Sequence, residues 1–163
     1  KDKKPELKSP VIVTADLGYA KKARNYAVEL DAPLAFIEKR RSGNDSKSQA
    51  LNLIGDVEGR DAIVVDDEID TGGSISNAVN LVKERGARNI YVSFIHAVLS
   101  ADAAARLAAL PVTQFITTDT VPIPPEKAAL FGDRLRVLTV ADLLAEVIRR
   151  ANEGRSVGEL FNE

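Results

Sequence analysis

At 163 residues, 45% hydrophobic and 28% charged, the chain is long enough for one domain with a sizeable core and too short for two of ordinary size. A formal net charge of −2 gives no electrostatic pull toward nucleic acid or anionic lipid. The lack of cysteine removes disulfides, thiolate metal sites and cysteine nucleophiles, and a lone histidine, His96, argues against a histidine-rich metal site or a serine triad.

Residues 1–10 are polar with two prolines and read as a linker or a trimmed inter-domain segment, leaving 11–163 as the folded domain. The opening Lys1-Asp2-Lys3-Lys4-Pro5 lacks the apolar segment of a signal peptide, and no apolar run approaches the ~20 residues that cross a bilayer. A cytoplasmic setting is expected. Because the sequence starts at Lys1 and holds no methionine, further chain upstream is expected too.

Val11-Ile12-Val13-Thr14-Ala15 is a short β-branched run. After Asp16-Leu17-Gly18 a helix is expected, with Ala20, Ala23, Ala27 and Leu30 as its buried stripe. Asp16, at a strand's carboxyl end where open parallel sheets place ligands, is a candidate for metal or sugar contact or for simple helix capping. Residues 34–38 predict the next strand, and 39–48, from Lys39-Arg40-Arg41 onward, an aperiodic polar loop. Three adjacent cations there suit a polyphosphate whose charge builds during phosphoryl transfer; a solvated basic turn is the plainer reading of Lys-Arg-Arg alone.

Leu51, Leu53, Ile54 and Val57 predict a short strand or hairpin before a central strand over 62–67. That strand ends in Val64-Val65-Asp66-Asp67-Glu68-Ile69-Asp70-Thr71-Gly72-Gly73-Ser74. Paired glycines let several backbone N–H groups face one point, and Ser74 as N-cap would add a helix's positive end, since Ile75, Ala78, Val79 and Val82 recur at helical spacing. The hydroxyls of Thr71 and Ser74 add donors to that anion cradle. Carboxylates just before it repel a bare phosphate but accept hydrogen bonds from sugar hydroxyls and hold Mg²⁺. The ligand described is a phosphorylated sugar. A ligand-free acidic turn is the alternative, and two Asp followed by a third three residues on and Thr-Gly-Gly-Ser count against it.

The helix over 74–86 is followed by a strand over 89–96, closed by His96, which reads as a structural hydrogen-bonder. An Ala-rich helix over 101–110 stops at Pro111, a strand covers 113–118, and 120–125, with three prolines, is a loop. A last strand over 135–138 precedes a long helix with Leu143, Leu144, Val147 and Ile148 as its buried face, then a short amphipathic tail. Strands alternate with helices, so an α/β fold is expected: an open, mostly parallel sheet with helices on both faces and ligand candidates at strand C-termini.

Three stretches together, Asp16-Leu17-Gly18, Phe36-Ile37-Glu38-Lys39-Arg40-Arg41 and 64–74, resemble the C-terminal half of a ribose-phosphate pyrophosphokinase, of type I phosphoribosyltransferase-like fold. Weaker likeness lies in Ile95-His96-Ala97-Val98-Leu99-Ser100 and in Ser156-Val157-Gly158-Glu159-Leu160-Phe161. The resemblance implies transfer of a pyrophosphoryl group from Mg-ATP to the 1-hydroxyl of ribose 5-phosphate, giving phosphoribosyl diphosphate and AMP. It implies Lys39 and Arg41 as catalytic, with Arg41 also on the substrate. Asp66, Asp67 and Asp70 would bind the ribose, Thr71, Gly72, Gly73 and Ser74 the 5-phosphate, and Asp16 a Mg²⁺ ion.

Partners implied are ATP and ribose 5-phosphate, an N-terminal domain and further copies of the chain, with neither nucleic acid nor membrane. Tyr19 departs from the family's more usual glycine and could crowd the Asp16 turn, and the loop after Arg41 lacks a proline common there. A type I phosphoribosyltransferase, or a non-catalytic phosphoribosyl-diphosphate-binding regulator or associated subunit, are the alternatives. The first should carry a base-recognition hood, which is not evident; the second should lack the lysine, which is present as Lys39.

Overall fold

A computed structural model describes residues 7–41 and 49–161, the side chains of Leu17, Lys39, Arg40, Arg41, Gln49 and Ala50 apart. Seven strands alternate with five α-helices along this part of the chain. They are β1 (Val11–Thr14), α1 (Ala20–Leu30), β2 (Leu34–Arg41), β3 (Gln49–Ile54), β4 (Asp61–Glu68), α2 (Gly73–Glu84), β5 (Asn89–His96), α3 (Ala103–Ala108), β6 (Gln114–Thr118), α4 (Pro125–Phe131), β7 (Leu135–Leu138) and α5 (Ala141–Glu153). The sheet order is β3-β2-β1-β4-β5-β6-β7, parallel except for β3, which runs antiparallel to β2. Chain winding reverses between β1 and β4, and the strand ends flanking such a seam are where open α/β sheets bind ligands.

Side chains alternate across the sheet with period two, and each face buries its own set. Val11 and Val13, Val64, Val92, Phe94 and Phe115 pack under α2 (Ile75, Ala78, Val79, Val82), Leu107 of α3 and Phe131 of α4. Phe115 and Phe131 meet edge to face, with centroids 5.0 Å apart. On the other face Ile12, Ile63 and Val65 pack under Ala23 and Ala27 of α1. Tyr19 belongs to that second cluster, 7% exposed. Its N–H donates to the Asp16 carbonyl at 3.1 Å, and burial, reinforced by Tyr26, raises the pKa of its phenol.

Asp61 fixes where β4 begins. Its side chain is 0% exposed and accepts hydrogen bonds from Arg88 Nε at 2.9 Å, Asn89 Nδ2 at 3.0 Å and the Lys8 N–H at 2.8 Å. Residues 7–10 are therefore tied to the sheet: the Asp61 N–H also donates to the Lys8 carbonyl. Burial works against the charge on Asp61, but the donors outweigh it and hold its carboxyl below the usual range.

Three expectations change. The segment from Lys39 is not a loop at its start: β2 continues to Arg41 against β3, pairing Lys39 with Leu51 and Arg41 with Gln49. β1 pairs with β2 only as far as Phe36, so residues 37–41 project ~16 Å beyond it as one strand of an arm. The remainder of that predicted loop, 42–48, lies outside the described residues. Next, α4 follows the proline-rich stretch directly, because Pro125 sits at the helix's first turn, where its missing N–H costs nothing. Last, α5 forms as expected but none of its residues is buried: Leu143 is 43%, Leu144 53% and Ile148 69% exposed. Among the described residues no helix is long and apolar enough to cross a membrane.

Candidate functional site

At the C-terminal end of β4 the chain passes through residues 69–72 into α2, around an open cavity of about 180 Å³ lined by Asp66, Glu68 and 69–75. That is roughly the space of six waters, enough for a phosphate and part of a sugar. Ile69 is the loop's anchor: its side chain is 2% exposed, its N–H donates to the His96 carbonyl at 3.0 Å, and its own carbonyl accepts from Leu99 N–H at 2.9 Å.

The next three carbonyls are also held from outside the cavity. Asp70 O accepts from the Ser100 N–H at 3.0 Å, Thr71 O from Arg106 Nη1 at 3.0 Å, and Gly72 O from Ser76 N–H at 2.9 Å and its hydroxyl at 2.8 Å. In a planar trans peptide the N–H points opposite to the C=O, and no cis bond occurs among the described residues. Tying back the carbonyls of residues 69–72 therefore turns the N–H groups of 70–73 to the opposite side. Four backbone N–H groups turned that way, leading into a 12-residue helix, are what an anion nest requires.

Gly72 takes φ +75° as the residue before the helix, a conformation that other residues adopt at a cost. The helix begins at Gly73, so the expected capping role of Ser74 is corrected: Ser74 is its second residue, and the cap position, Gly72, has no side chain to bond. Thr71, Gly72, Gly73 and Ser74 all line the cavity.

The acids separate by strand period. Asp66 and Glu68, two apart, both line the cavity, with Asp70 beyond them, whereas Asp67 is absent from the lining and pairs with Lys22 of α1 at 3.2 Å. Although burial opposes it, Lys22 holds the Asp67 carboxyl below its usual range. Asp66 behaves in the reverse sense: burial first, then the charges of Asp67 and Asp16, push its pKa up to about 6 despite a hydrogen bond from the Asp67 N–H.

Asp16 is thus close enough to act on Asp66 across the β1–β4 seam. Its Oδ1 accepts the Gly18 N–H at 2.7 Å, which closes the turn into α1 and leaves the carboxylate exposed. The backbone of Lys39 and Arg41 lies in the arm, beyond the end of β1; their side chains are outside what is described. Sequence reasoning passed over Glu68 as a site residue and had no signal for Arg106, 35 positions from the carbonyl it holds.

Asp66 makes the site pH-sensitive. Ionising a carboxyl whose folded pKa is raised costs stability between its ordinary value and about 6, while the ionised form is the stronger acceptor of sugar hydroxyls. A sugar phosphate used as probe is expected to bind the cavity more tightly as pH rises from 5 to 7. The sugar phosphate's own second ionisation falls near ~6 as well, so Asp66→Asn is the control: a titration series should give a shallower pH dependence in that variant, and an unchanged slope would assign the effect to the ligand.

The family of phosphoribosyl synthetase-associated domains matches residues 44–162. A ribose-phosphate pyrophosphokinase from Pasteurella multocida is 42% identical over 160 residues, 98% of this chain and 50% of that protein. One from Caldanaerobacter subterraneus is 44% identical over 151 residues, covering 93% and 46%. The crystal structure of phosphoribosylpyrophosphate synthetase from Mycobacterium smegmatis superposes with a TM-score of 0.80 at 40% identity, over 90% of this chain and 46% of that one. The chain spans about half the length of the curated relatives it matches. With the motif, the sheet order and the family match in agreement, the chain belongs to the phosphoribosyl synthetase-associated domain family.

Proposed function

We propose that this chain is the ribose 5-phosphate-holding half of a ribose-phosphate diphosphokinase, which moves the pyrophosphoryl group of Mg-ATP onto the sugar's 1-hydroxyl and releases AMP and phosphoribosyl diphosphate. The observation that carries the reading is the amide nest of residues 70–73 with Asp66, Glu68 and Asp70 at its rim, which matches a phosphate at one end and hydroxyls at the other. The nest fixes the 5-phosphate; Asp66 and Asp70 accept from the ribose hydroxyls and orient the ring. In the transfer the 1-oxygen attacks the β-phosphorus in line, the bond from that phosphorus to the bridging oxygen of the α-phosphate breaks, and AMP leaves with the bridging oxygen. Lys39 and Arg41, on the arm, neutralise charge spread over the group in flight.

The donor set fits Mg²⁺. Exposed carboxylates supply hard oxygens of the kind Mg²⁺ takes beside substrate phosphates and water. Asp16 would hold it, and when bound it would offset polyphosphate charge. A cytoplasmic setting, where ATP is at hand, goes with this activity.

The remaining half of the relatives' length is the natural cover for a face this chain leaves bare. α1 covers the second face of the sheet over β1 and β4, whereas Tyr91, Ile95 and Ile116 on that face are only half-buried. On β7, Leu138 shares that face and is 42% exposed, and Leu143, Leu144 and Ile148 of α5 are exposed apolar side chains as well. An N-terminal domain packed there would complete the core and bring ATP contacts; further copies of the chain would be assembled around it.

The test follows AMP release from Mg-ATP with and without ribose 5-phosphate, and with and without the N-terminal half of the P. multocida relative. Sugar-dependent AMP release that needs the added half is expected, and Lys39→Ala should lower it about a thousandfold while ribose 5-phosphate affinity stays nearly constant. Consumption of phosphoribosyl diphosphate with a base would instead select a phosphoribosyltransferase. Saturable sugar binding without turnover under every condition would select a synthetase-associated regulator.

A further inference from the structure

Resting on the site reading above, we propose that Arg106 of α3 is a positioning residue of the phosphate nest. Three of the four tied-back carbonyls are held by neutral donors: Leu99 N–H, Ser100 N–H, and the amide and hydroxyl of Ser76. The carbonyl of Thr71 is held by a guanidinium, at 3.0 Å from Arg106 Nη1. The peptide so gripped carries the N–H of Gly72, in the middle of the nest, and a charged donor on its carbonyl both fixes and polarises it.

Arg106 also stands behind the start of α2, on the side of the loop away from the cavity. A Cβ on Gly73 would lie 4.0 Å from the same Nη1. The guanidinium therefore sets a positive charge behind the amides, against Asp66, Glu68 and Asp70 at the rim, whose charges oppose an incoming phosphate.

What holds Arg106 in reach is the packing of its helix. Ala103, Ala104 and Leu107 of α3 are 1%, 2% and 0% exposed, and Leu107 Cγ and Cδ2 come within 3.4 Å of where a Gly72 Cβ would stand. The buried side of α3 thus seats against the loop, and its exposed residue 106 reaches over to Thr71. The device is absent from the Asp-Thr-Gly-Gly-Ser motif and depends on the crossover after β5.

Calorimetric titration of ribose 5-phosphate into the chain, at low and at moderate salt, compares Arg106 with Arg106→Lys, Arg106→Gln and Arg106→Ala. Arg106→Ala should weaken binding about tenfold or more and flatten its salt dependence, Arg106→Lys should restore most of both, and Arg106→Gln, a neutral donor of similar reach, should fall between. Thermal unfolding midpoints are read alongside. Equal affinity and salt dependence in Arg106→Ala would overturn the proposal. So would a loss that Arg106→Lys fails to rescue and that tracks a lowered unfolding midpoint, which would assign Arg106 to packing of α3. Should the unsubstituted chain not bind the sugar phosphate at all, the site reading fails first and this inference with it.

Discussion

Gly72→Val should abolish measurable ribose 5-phosphate binding, with affinity down on the order of a hundredfold or more, while Gly73→Ala leaves the fold intact. The two glycines are adjacent, but their surroundings differ. Gly72 has φ +75°, and a Cβ there would stand in contact with Leu107 Cγ and Cδ2 at 3.4 Å and the Cβ of Ala103 at 3.8 Å, leaving no space for the two further carbons of valine on that side. The left-handed conformation costs an ordinary residue about 1–2 kcal/mol, and a β-branched one more. The loop's way out is to swing off α3, which breaks the Thr71–Arg106 bond and scatters the aligned amides. At Gly73 the backbone is helical and the nearest groups to a Cβ, Arg106 Nη1 and Thr71 Oγ1, are 4.0 Å away. Titration calorimetry and thermal unfolding on the two variants check the contrast; unaltered sugar-phosphate affinity in Gly72→Val would falsify the nest as the anion site.

Asp61→Ala is expected to be the most damaging single change to stability. It removes the acceptor of Arg88, Asn89 and the Lys8 N–H at a position with no access to water, and leaves those donors unpaired at the start of the central strand. Breaking such a cluster costs about 3 kcal/mol, the lower part of the range for buried ion pairs, because the Arg88 side chain is 34% exposed and regains solvent. For a domain of this size that is ~6–12 °C in unfolding midpoint. The acid limb of stability should change too. Since the folded pKa of Asp61 lies below its unfolded value, its contribution is present above the unfolded pKa and is lost as pH falls through the folded one. Asp61→Ala should therefore flatten the loss of stability below pH 4, and equal acid sensitivity in both proteins would count against the cluster's role.

The central motif was legible because local chemistry dictates it. An apolar run, clustered acids and paired glycines determine a strand end, a rim and a turn without help from distant residues. Even the division of labour between Asp66 and Asp67 was within reach, since neighbours on a strand face opposite sides and Asp66 shares its side with Glu68. β5 was readable end to end for a similar reason: Ile90, Val92 and Phe94 alternate toward the core.

What failed to show depends on partners far along the chain. Lys39-Arg40-Arg41 reads as loop because it opens a polar run with no periodicity, and becomes strand because β3 supplies its hydrogen bonds. α4 hides behind prolines that mark a loop by composition yet open a helix. The apolar stripe of α5 is real, but periodicity reveals only that a face is apolar and is silent on what covers it. Arg106 has no motif, and only the crossover after β5 carries it to Thr71.

The tethered carbonyls of residues 69–72 have one more effect. A receptor whose donors are already aimed before its guest arrives gives up little entropy on capture, and equally it cannot mould itself to one guest over another. Any phosphomonoester small enough to enter will find the same welcome there. Choice among sugars must then rest with the carboxylates at the rim, and the timing of the reaction with the pieces that approach from the open side.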